Sequence, residues 1–419
     1  MVVTFKNSNL DFHIEAPPSK SIYHRELIVS FLCGNYEHLE CLEGDSDDIK
    51  ATKGILKSLH EVMEGNVPEG KIDGDGFLHL FCNESGSTLR LLIPVVAAFL
   101  LGEGRERYGL SGLVFETAGR LFDRPIDELQ EAVKPHGLMV VKNSETRSIK
   151  VTGEMTSGEY FIDGSRSSQS ISGLLIALSI LDKPSSVNVI SEMSSKYYIG
   201  LTEHALEKYG CPVEKDGKTF YPKAGSLAGN DKSRVIPEFK VEGDWSNGAF
   251  LLCMKRWSDI TVGNLYADSR QGDRAIVDFL ELVDSDDSPA EVTWDCSDIP
   301  DITPYMAMVA PFEFAKVTFT GISRLRIKES DRVKATREML SAIGVRTEEK
   351  DDTLTVYEYE SPSNTELEEP IKLSSYHDHR MAMCAILLSV ILKKKIDIDD
   401  IWCIRKSYPE FLELLDISE

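Results

Sequence analysis

The sequence predicts an α/β protein with two domains, each made of three β-α-β-α-β-β units that place buried helices inside and sheets outside. Two helical patterns alternate along the chain: one is amphipathic and leads into a hairpin, and the other is apolar nearly all round. About six copies of the combined pattern follow one another at intervals of roughly 60–80 residues, which indicates supersecondary duplication rather than a solenoid. The length of 419 residues is also typical of two or three domains.

The amphipathic pattern combines a helix, a glycine and two strands joined by a tight turn. In one copy the helix stops at Gly210 and the hairpin turns at Asp216-Gly217, a dipeptide that favours two-residue hairpin turns. Another copy has apolar residues near helical spacing from 333 to 343 and stops at Gly344. A fifth copy is expected to contain an irregular acidic loop over 284–291.

The apolar pattern combines a strand, a short polar turn and a helix of about four turns. A helix that is apolar around its whole circumference is buried. The polar turns before these helices read PPSKS, NESGS, GSRSSQS, GDWSNG, DIPDIT and YHDHR. Helix N-termini carry partial positive charge and outward N–H groups, so six converging N-termini would bind an anion.

The composition limits the classes of function. The chain has 46 Lys and Arg and 69 Asp and Glu, so its net charge is −23, which disfavours nucleic acid or an anionic membrane as a partner. Eight scattered cysteines form no C-x-x-C pair and no zinc spacing, and they predict reduced thiols in a cytoplasmic protein. Residues 1–18 alternate like a strand rather than a signal peptide, and the longest apolar stretch, 91–101, is too short to span a bilayer.

Residues 326–332, RIKESDR, place five charges between a predicted strand and a predicted helix. Most such runs are solvated surface, but at a strand-to-helix turn the run also suits an anion site. With Asp301 and Glu329 as acids, the polar turns predict a basic, hydroxyl-rich cavity for anionic ligands and proton transfer. From its position alone, Asp301 is better explained as a helix N-cap. The pair His377 and His379 is a weak metal site, and the chain has neither a P-loop nor a Rossmann fingerprint.

Short motifs follow one another along the chain: SKSxxxR, DSDD, ESGSxxR, GRxxxRP, DGSxSSQ, VEGDxS, QGD, IPD, KESDR, DHRMAM and RKSYPEF. In this order, and over essentially the whole chain, they resemble the EPSP synthase (3-phosphoshikimate 1-carboxyvinyltransferase) family. The resemblance implies a two-domain inside-out α/β barrel of six β-α-β-α-β-β repeats. It assigns most shikimate-phosphate contacts to a domain over 20–241, and the catalytic acids and much of the phosphoenolpyruvate cluster to a domain over 1–19 plus 242–419.

The resemblance also implies an activity. The family joins the enolpyruvyl group of phosphoenolpyruvate to the 5-hydroxyl of shikimate 3-phosphate and releases phosphate, by addition and elimination without a cofactor or a metal. The implied partners are these two small molecules, and neither nucleic acid nor a membrane. The implied protein is a cytoplasmic monomer.

Individual residues are assigned by their place in the motifs. The implied catalytic residues are Lys20, Asp301, Lys328 and Glu329. Asp301 would accept the hydroxyl proton, and Glu329 would handle the methylene carbon. The residues implied to bind shikimate 3-phosphate are Lys20, Ser21, Arg25, Ser167, Ser168, Gln169, Ser195, Tyr198, Asp301 and Lys328. Those implied to bind phosphoenolpyruvate are Lys20, Gly86, Arg120, Gln169, Arg332, Arg380 and Lys406. Asp331 is expected to cap the helix and Arg326 to support the turn.

Two alternatives to this function remain open at the level of the sequence. Within the same fold, an enolpyruvyl transferase acting on a UDP-aminosugar would be expected to carry a loop cysteine near the site, and no motif places one there. In a different class, a non-catalytic anion-binding homologue would be expected to have lost Asp301 or Glu329. Both acids are present.

Overall fold

The computed structural model describes residues 1–6, 12–102, 107–227, 235–285, 289–360 and 369–418. The chain divides into two compact units. The first, which we call the split unit, comprises Met1–Ser19 and Glu242–Glu419, and the second, which we call the continuous unit, comprises Lys20–Val241. Residues 7–11 of the predicted N-terminal strand and residues 286–288 of the expected acidic loop lie outside the described residues.

The regular elements of the described residues alternate along the chain. The strands are β1 (Val2–Phe5), β2 (Phe12–Glu15), β3 (Phe77–Phe81), β4 (Gly112–Glu116), β5 (Leu138–Asn143), β6 (Ser148–Gly153), β7 (Glu159–Ile162), β8 (Ser186–Val189), β9 (Val213–Asp216), β10 (Thr219–Pro222), β11 (Ile260–Gly263), β12 (Glu291–Asp295), β13 (Lys316–Thr320), β14 (Thr347–Lys350), β15 (Thr353–Tyr357), β16 (Ile371–Leu373), β17 (Ile396–Ile398) and β18 (Leu415–Ser418). The α-helices are α1 (Lys20–Leu32), α2 (Asp47–Glu64), α3 (Gly86–Leu100), α4 (Asp127–Val133), α5 (Ser168–Leu178), α6 (Lys196–Lys208), α7 (Trp245–Lys255), α8 (Ile276–Asp284), α9 (Thr303–Glu313), α10 (Arg332–Ala342) and α11 (His379–Leu392). Short 3-10 helices include Ser323–Ile327, Trp402–Lys406 and Pro409–Leu414.

Four four-stranded sheets share one topology. Their strand orders are β3-β4-β6-β5 and β7-β8-β10-β9 in the continuous unit, and β12-β13-β15-β14 and β16-β17-β1-β18 in the split unit. In each sheet the first two strands run parallel, and the other neighbours run antiparallel. The predicted β-α-β-α-β-β unit is confirmed for these copies, except that 3-10 helices replace the second α-helix of the last copy.

The other two copies are reduced within the described residues. β2 and β11 form a parallel two-stranded sheet, in which Ile14 lies opposite Val262. The copy that contains α1 and α2 leads to a single antiparallel bridge between Ile72 and Leu78. The sixfold pattern in the sequence is therefore kept more fully in the helices than in the strands.

The helices that follow the polar turns form the interior of each unit. In α11, every residue over 379–389 is buried. The sheets keep one exposed face, since Leu138 and Val140 of β5 are buried whereas Met139 and Val141 are about half exposed. This arrangement confirms the prediction of helices inside and sheets outside, and each unit has a hydrophobic core of its own.

Polar side chains cap the starts of four interior helices. Ser85, Ser167, Asp244 and Asp378 are the N-caps of α3, α5, α7 and α11, and each side chain accepts a backbone N–H from the first turn. The polar turns of the sequence are therefore helix N-termini, where backbone N–H groups and partial positive charge are available to an anion.

Candidate active site

The split unit contains a buried group of acids and bases, which we call the carboxylate cluster. Asp301 precedes α9, residues 328–332 lead into α10, Asp378 precedes α11, and Lys406 ends a 3-10 helix. The side chains of its three acids and three cations (Asp301, Glu329, Asp378, Lys328, Arg332 and Lys406) are at most 20% exposed. Charges withdrawn from water to this extent interact strongly with one another.

Arg332, the first residue of α10, contacts all three acids of the cluster. Its Nε and Nη2 donate to the two carboxylate oxygens of Asp378 at 2.8 and 3.1 Å. Nη1 donates to Asp301 at 2.8 Å, and Nη2 also donates to Glu329 at 2.8 Å. Burial alone would lower the pKa of this guanidinium, but Asp378, Glu329 and Asp301 raise the pKa above its ordinary value. Arg332 therefore stays charged and orders the acids.

The interpretation of Asp301 as a helix N-cap is wrong. The N-cap of α9 is Ile302, whose side chain makes no capping hydrogen bond. The carboxylate of Asp301 instead lies 2.8 Å from Arg332 and 3.4 Å from Lys328. Burial would raise the pKa of this carboxyl, but Lys328, Arg380 and Arg332 outweigh burial and hold the pKa well below its ordinary value. Asp301 is therefore ionised at neutral pH, the state in which a carboxylate accepts a proton.

Two lysines also contact these acids, and Lys328 lies 3.4 Å from the same oxygen of Asp301 that Arg332 contacts. Burial lowers the pKa of Lys328 to about 8, although Asp301 opposes the shift. The Nζ of Lys406 lies 3.6 Å from Glu329 Oε1, while Arg332 contacts Oε2 of the same carboxylate. Glu329 is thus bound by two cations, and an amine that titrates near neutral pH lies beside Asp301.

In the charged turn before α10, some residues support the turn itself and others belong to the carboxylate cluster. Asp331 is the N-cap of α10 and accepts the backbone N–H of Lys334 at 3.0 Å, so its expected capping role is confirmed. Arg326 lies 3.6 Å from Asp331 and also pairs with Glu349, which confirms that it supports the turn. The run is therefore not a uniformly solvated surface.

Arg380 lies in the first turn of α11 and is buried. Its backbone N–H donates to Asp378 at 2.9 Å, and its Nη1 donates to the Tyr305 hydroxyl at 3.2 Å. Burial would lower the pKa of Arg380, but Tyr305 and Asp301 raise it well above its ordinary value. The split unit thus brings together these predicted residues: Asp301, Lys328, Glu329, Arg332, Arg380 and Lys406.

In the continuous unit, the buried guanidinium of Arg25 donates to neutral oxygens. Its Nε donates to Thr202 Oγ1 at 2.7 Å, and its Nη1 donates to the Ser21 carbonyl at 2.6 Å. Its Nη2 donates to Ser172 Oγ at 3.3 Å and to the Tyr198 carbonyl at 2.9 Å. Burial lowers the pKa of Arg25 to about 10. The contacts join α1 to α5 and α6, and they bring Ser21 and Tyr198 together.

The start of α3 lies against two guanidinium groups. A Cβ atom built on Gly86 would lie 2.7 Å from Arg124 Nη1 and 2.8 Å from Arg90 Nη1, so glycine is what allows this close approach. Arg90 Nη1 also donates to Gln169 Oε1 at 3.4 Å, and Gln169 Nε2 donates to Ser87 Oγ at 2.8 Å. The predicted residues Gly86 and Gln169 are thus brought together by Arg90.

Lys20 is held at the start of α1. Its Nζ lies 2.9 Å from Asp48, which is in the first turn of α2. A chain of buried hydrogen bonds connects the same helices to α3, with His24 Nδ1 2.8 Å from Thr52 Oγ1 and Thr52 Oγ1 2.8 Å from Thr88 Oγ1. Burial lowers the pKa of His24 to about 3, so this imidazole is neutral. The three helix starts are therefore fixed relative to one another within the continuous unit.

The other predicted residues of the continuous unit also lie at element starts. Ser167 is the N-cap of α5 and Ser168 is its first residue, and both are buried. Ser195 is the buried N-cap of α6 with φ 53°, in the left-handed region. Arg120 is exposed at the start of a 3-10 helix, whereas other arginines lie against α3. The role of Arg120 stays a prediction.

Neither a metal-binding group nor a membrane-spanning helix occurs among the described residues. No group of three His, Cys, Asp or Glu side chains in this part of the chain could hold a metal ion. His377 instead lies 3.0 Å from Asp400, and His379 is buried in α11. Over the same residues, no helix is both long enough and apolar enough to cross a bilayer.

Sequence reasoning missed several residues of these clusters. Asp378 stands in the DHRMAM motif, and a polar residue before a buried helix is typical of an N-cap, but its contact with Arg332, 46 residues away, leaves no local pattern. Thr202 is 177 residues from Arg25, its partner. Asp48 lies in the DSDD motif, and its position in the first turn of a helix was the available signal.

The fold is similar to that of two solved structures described as EPSP synthase from Acinetobacter baumannii. They match with TM-scores of 0.67 and 0.66 over 100% of this chain and 100% of each matched chain. The sequence identities are 18% and 17%, so this likeness concerns the fold alone. The predicted α/β class of repeated units is confirmed.

Sequence comparison identifies the family within this class. The family profile described as EPSP synthase (3-phosphoshikimate 1-carboxyvinyltransferase) matches residues 5–415. A relative from Clostridium kluyveri, named 3-phosphoshikimate 1-carboxyvinyltransferase, is 32% identical over 98% of this chain and 96% of the relative. A relative from Clostridioides difficile with the same name is 32% identical over 97% of this chain and 94% of the relative. The chain belongs to the EPSP synthase family, as its motifs predicted.

Proposed function

We propose that this protein transfers the carboxyvinyl group of phosphoenolpyruvate to the 5-hydroxyl of 3-phosphoshikimate and releases phosphate. The product would serve the shikimate pathway, which leads to chorismate and the aromatic amino acids. One observation carries the proposal: the acids Asp301 and Glu329 contact the terminal nitrogens of a single buried guanidinium, that of Arg332. Membership of the EPSP synthase family supports the same activity.

The reaction needs one group that gives a proton to carbon and another that takes a proton from oxygen. In this proposal Glu329 protonates the methylene carbon of phosphoenolpyruvate, and positive charge develops at C2. Asp301 accepts the 5-hydroxyl proton as that oxygen bonds to C2. The tetrahedral adduct then expels phosphate, and return of one methyl proton to Glu329 restores the vinyl group. Lys328 would lie near the reacting hydroxyl.

The proposed binding groups are cations and hydroxyls from both units. Phosphoenolpyruvate would be bound by Lys20, Gly86, Arg120, Gln169, Arg332, Arg380 and Lys406. The shikimate phosphate would be bound by Ser167, Ser168 and Ser195, with further ring and shared contacts from Lys20, Ser21, Arg25, Gln169, Tyr198, Asp301 and Lys328. Helix N-termini and guanidinium groups are suited to both anions. The arginines mainly hold and neutralise the ligands, so their contribution is one of orientation.

In this proposal the two units have different roles in substrate binding and catalysis. The continuous unit would supply most contacts to 3-phosphoshikimate, and the split unit would supply the catalytic acids and much of the phosphoenolpyruvate cluster. We further propose a cytoplasmic monomer that needs neither a cofactor nor a metal, and that acts on small molecules rather than on nucleic acid or at a membrane.

The test is a phosphate-release assay with the purified protein and no added metal. Phosphate is expected only when phosphoenolpyruvate and 3-phosphoshikimate are both present, and the organic product should carry one enolpyruvyl ether by NMR. Because loss of the acids would mark a non-catalytic homologue, the presence of Asp301 and Glu329 supports turnover. Absence of turnover would contradict the proposal. Turnover with a UDP-aminosugar instead would support the alternative, which the family match does not favour.

A further inference from the structure

We propose that Asp378 is a positioning residue for the transfer reaction, because its carboxylate fixes the guanidinium of Arg332 where it reaches Asp301 and Glu329 together. The inference rests on the proposed function and adds a residue that the sequence motifs left unassigned. Asp378 would touch neither substrate, and would act through Arg332.

The contacts of Asp378 define both the plane and the rotation of the guanidinium. Its side chain is 0% exposed. Oδ2 accepts from Arg332 Nε at 2.8 Å and from Ser330 Oγ at 2.9 Å. Oδ1 accepts from Arg332 Nη2 at 3.1 Å and from the Arg380 backbone N–H at 2.9 Å. Two contacts from one carboxylate to one planar guanidinium leave that group little freedom to rotate.

The remaining donors of Arg332 are those that reach the two reacting acids. An arginine has five N–H donors in a fixed plane. Asp378 uses donors on Nε and Nη2, which leaves Nη1 for Asp301 and the other N–H of Nη2 for Glu329, both at 2.8 Å. Because the donors are coplanar, rotation away from Asp378 would break both contacts and change the spacing of the acids.

Helix capping does not account for a carboxylate at this position. The cap of α11 uses one oxygen of Asp378, and Ser, Thr or Asn supplies one equally well. The N-caps of α3 and α5 are Ser85 and Ser167, which cap interior helices of the same kind with a hydroxyl. Three of the four hydrogen bonds that the Asp378 carboxylate accepts come instead from side chains of the turn that carries Glu329.

The test variant is Asp378→Asn, because asparagine keeps the shape and the capping oxygen. Its NH₂ group would face an N–H of Arg332 and remove the paired contact. We expect kcat to fall by about 10²-fold, the scale of a small misplacement of reacting groups. Binding of 3-phosphoshikimate, measured by calorimetry, should change little, since most of its proposed contacts lie in the continuous unit. A fall in kcat with unchanged binding of 3-phosphoshikimate is what a general folding defect would not produce.

The matched control is Asp399→Asn. Asp399 accepts the Ser375 backbone N–H at 2.7 Å and Ser374 Oγ at 2.6 Å, so it holds the loop that leads to Asp378. Among the described residues, its contacts include no member of the carboxylate cluster. The control should therefore retain the turnover of the wild type. An equal loss in both variants would mean that loop integrity matters, and it would overturn the proposal.

A crystal structure of Asp378→Asn supplies a readout that does not depend on turnover. The guanidinium of Arg332 should leave hydrogen-bond distance of Asp301, Glu329 or both. If Arg332 keeps both contacts, or if the variant keeps wild-type kcat, Asp378 does not position it. A wild type that is inactive with both substrates would reject the proposed function, and the crystal structure would still decide the positioning role.

Discussion

Arg25 in the continuous unit and Arg332 in the split unit are both buried, yet their surroundings are opposite. Arg25 donates to four neutral oxygens, whereas Arg332 donates to three carboxylates. Burial dominates at Arg25 and lowers its pKa to about 10, while the carboxylates overcome burial at Arg332 and raise its pKa. The neutral partners of Arg25 leave its charge uncompensated by these hydrogen bonds, whereas the charge of Arg332 orders three acids.

The largest effect expected from this comparison concerns the stability of the protein. Arg332→Met leaves three buried carboxylates without their shared cation, and removing one partner of a buried ion pair typically costs about 3–5 kcal/mol. Urea unfolding at neutral pH should show a loss of this size. The loss should shrink as the pH falls, because protonated carboxyls no longer repel one another.

A matched control for this prediction lies in the same turn. Arg326→Met removes a half-buried arginine whose partners are Asp331 and Glu349, outside the carboxylate cluster. Its effect on unfolding should stay within about 1 kcal/mol. Equal losses of unfolding free energy in the two variants would show that the contacts of Arg332 with three carboxylates add no extra stability.

The acids that Arg332 orders provide the second test. Asp301→Asn and Glu329→Gln keep the size of each side chain and remove its proton chemistry, so turnover should fall by about 10²-fold or more. Binding of 3-phosphoshikimate should stay near that of the wild type. Calorimetry and phosphate release measure the two quantities separately. Wild-type turnover in either variant would contradict the role assigned to that acid.

Arg25→Met tests whether the arginine with neutral partners contributes to ligand affinity rather than to stability. Its hydroxyl partners retain contacts with each other, since Thr202 Oγ1 donates to Ser172 Oγ at 2.8 Å, and stability should fall by only about 1 kcal/mol. The affinity for 3-phosphoshikimate should fall by about 10- to 100-fold, the scale of a charge-assisted hydrogen bond of about 1.5–3 kcal/mol. Calorimetry measures the affinity for 3-phosphoshikimate, and urea unfolding measures the stability. A large loss of stability with normal affinity would mean that Arg25 is a structural clamp.

The smallest effect is a change with pH at Lys328. Its amine is cationic below a pKa of about 8 and neutral above it, so kcat/KM should fall as the pH rises through this value. A single titrating group gives about a tenfold fall per pH unit. Lys328→Arg keeps the charge because a guanidinium stays protonated well above this range, and its profile should remain flat to higher pH. Identical profiles for the two proteins would exclude Lys328 as the titrating group.

Local patterns predicted the fold well. The turn at Asp216-Gly217 and the stop at Gly344 mark real element ends, because turn chemistry depends on neighbouring residues. Helices that are apolar all round could be placed in the interior without knowing their partners. The strands of the two reduced copies were harder to foresee, since strand pairing depends on residues that are distant in the chain.

The candidate site was predictable in its residue types but not in its pairings. Asp301 illustrates the limit, because local position favoured a cap and only the fold shows its contacts with Arg332 and Lys328. The same limit applies to Arg124, whose guanidinium lies close to Gly86. The GRxxxRP motif contains both Arg120 and Arg124, and the sequence alone could not show which of the two lies there. Contacts across many residues leave no periodicity, so they cannot be read from one sequence.

The position of β1 has a consequence for biosynthesis. β1 pairs with β17 and β18, so one sheet of the split unit needs both residues 2–5 and residues 396–418. A ribosome releases the chain from its N-terminus, and domains generally fold as units during synthesis. The continuous unit, with its own core, is complete long before β18 emerges. β1 can therefore pair only after β17 and β18 have been made, whereas the continuous unit between them is made earlier.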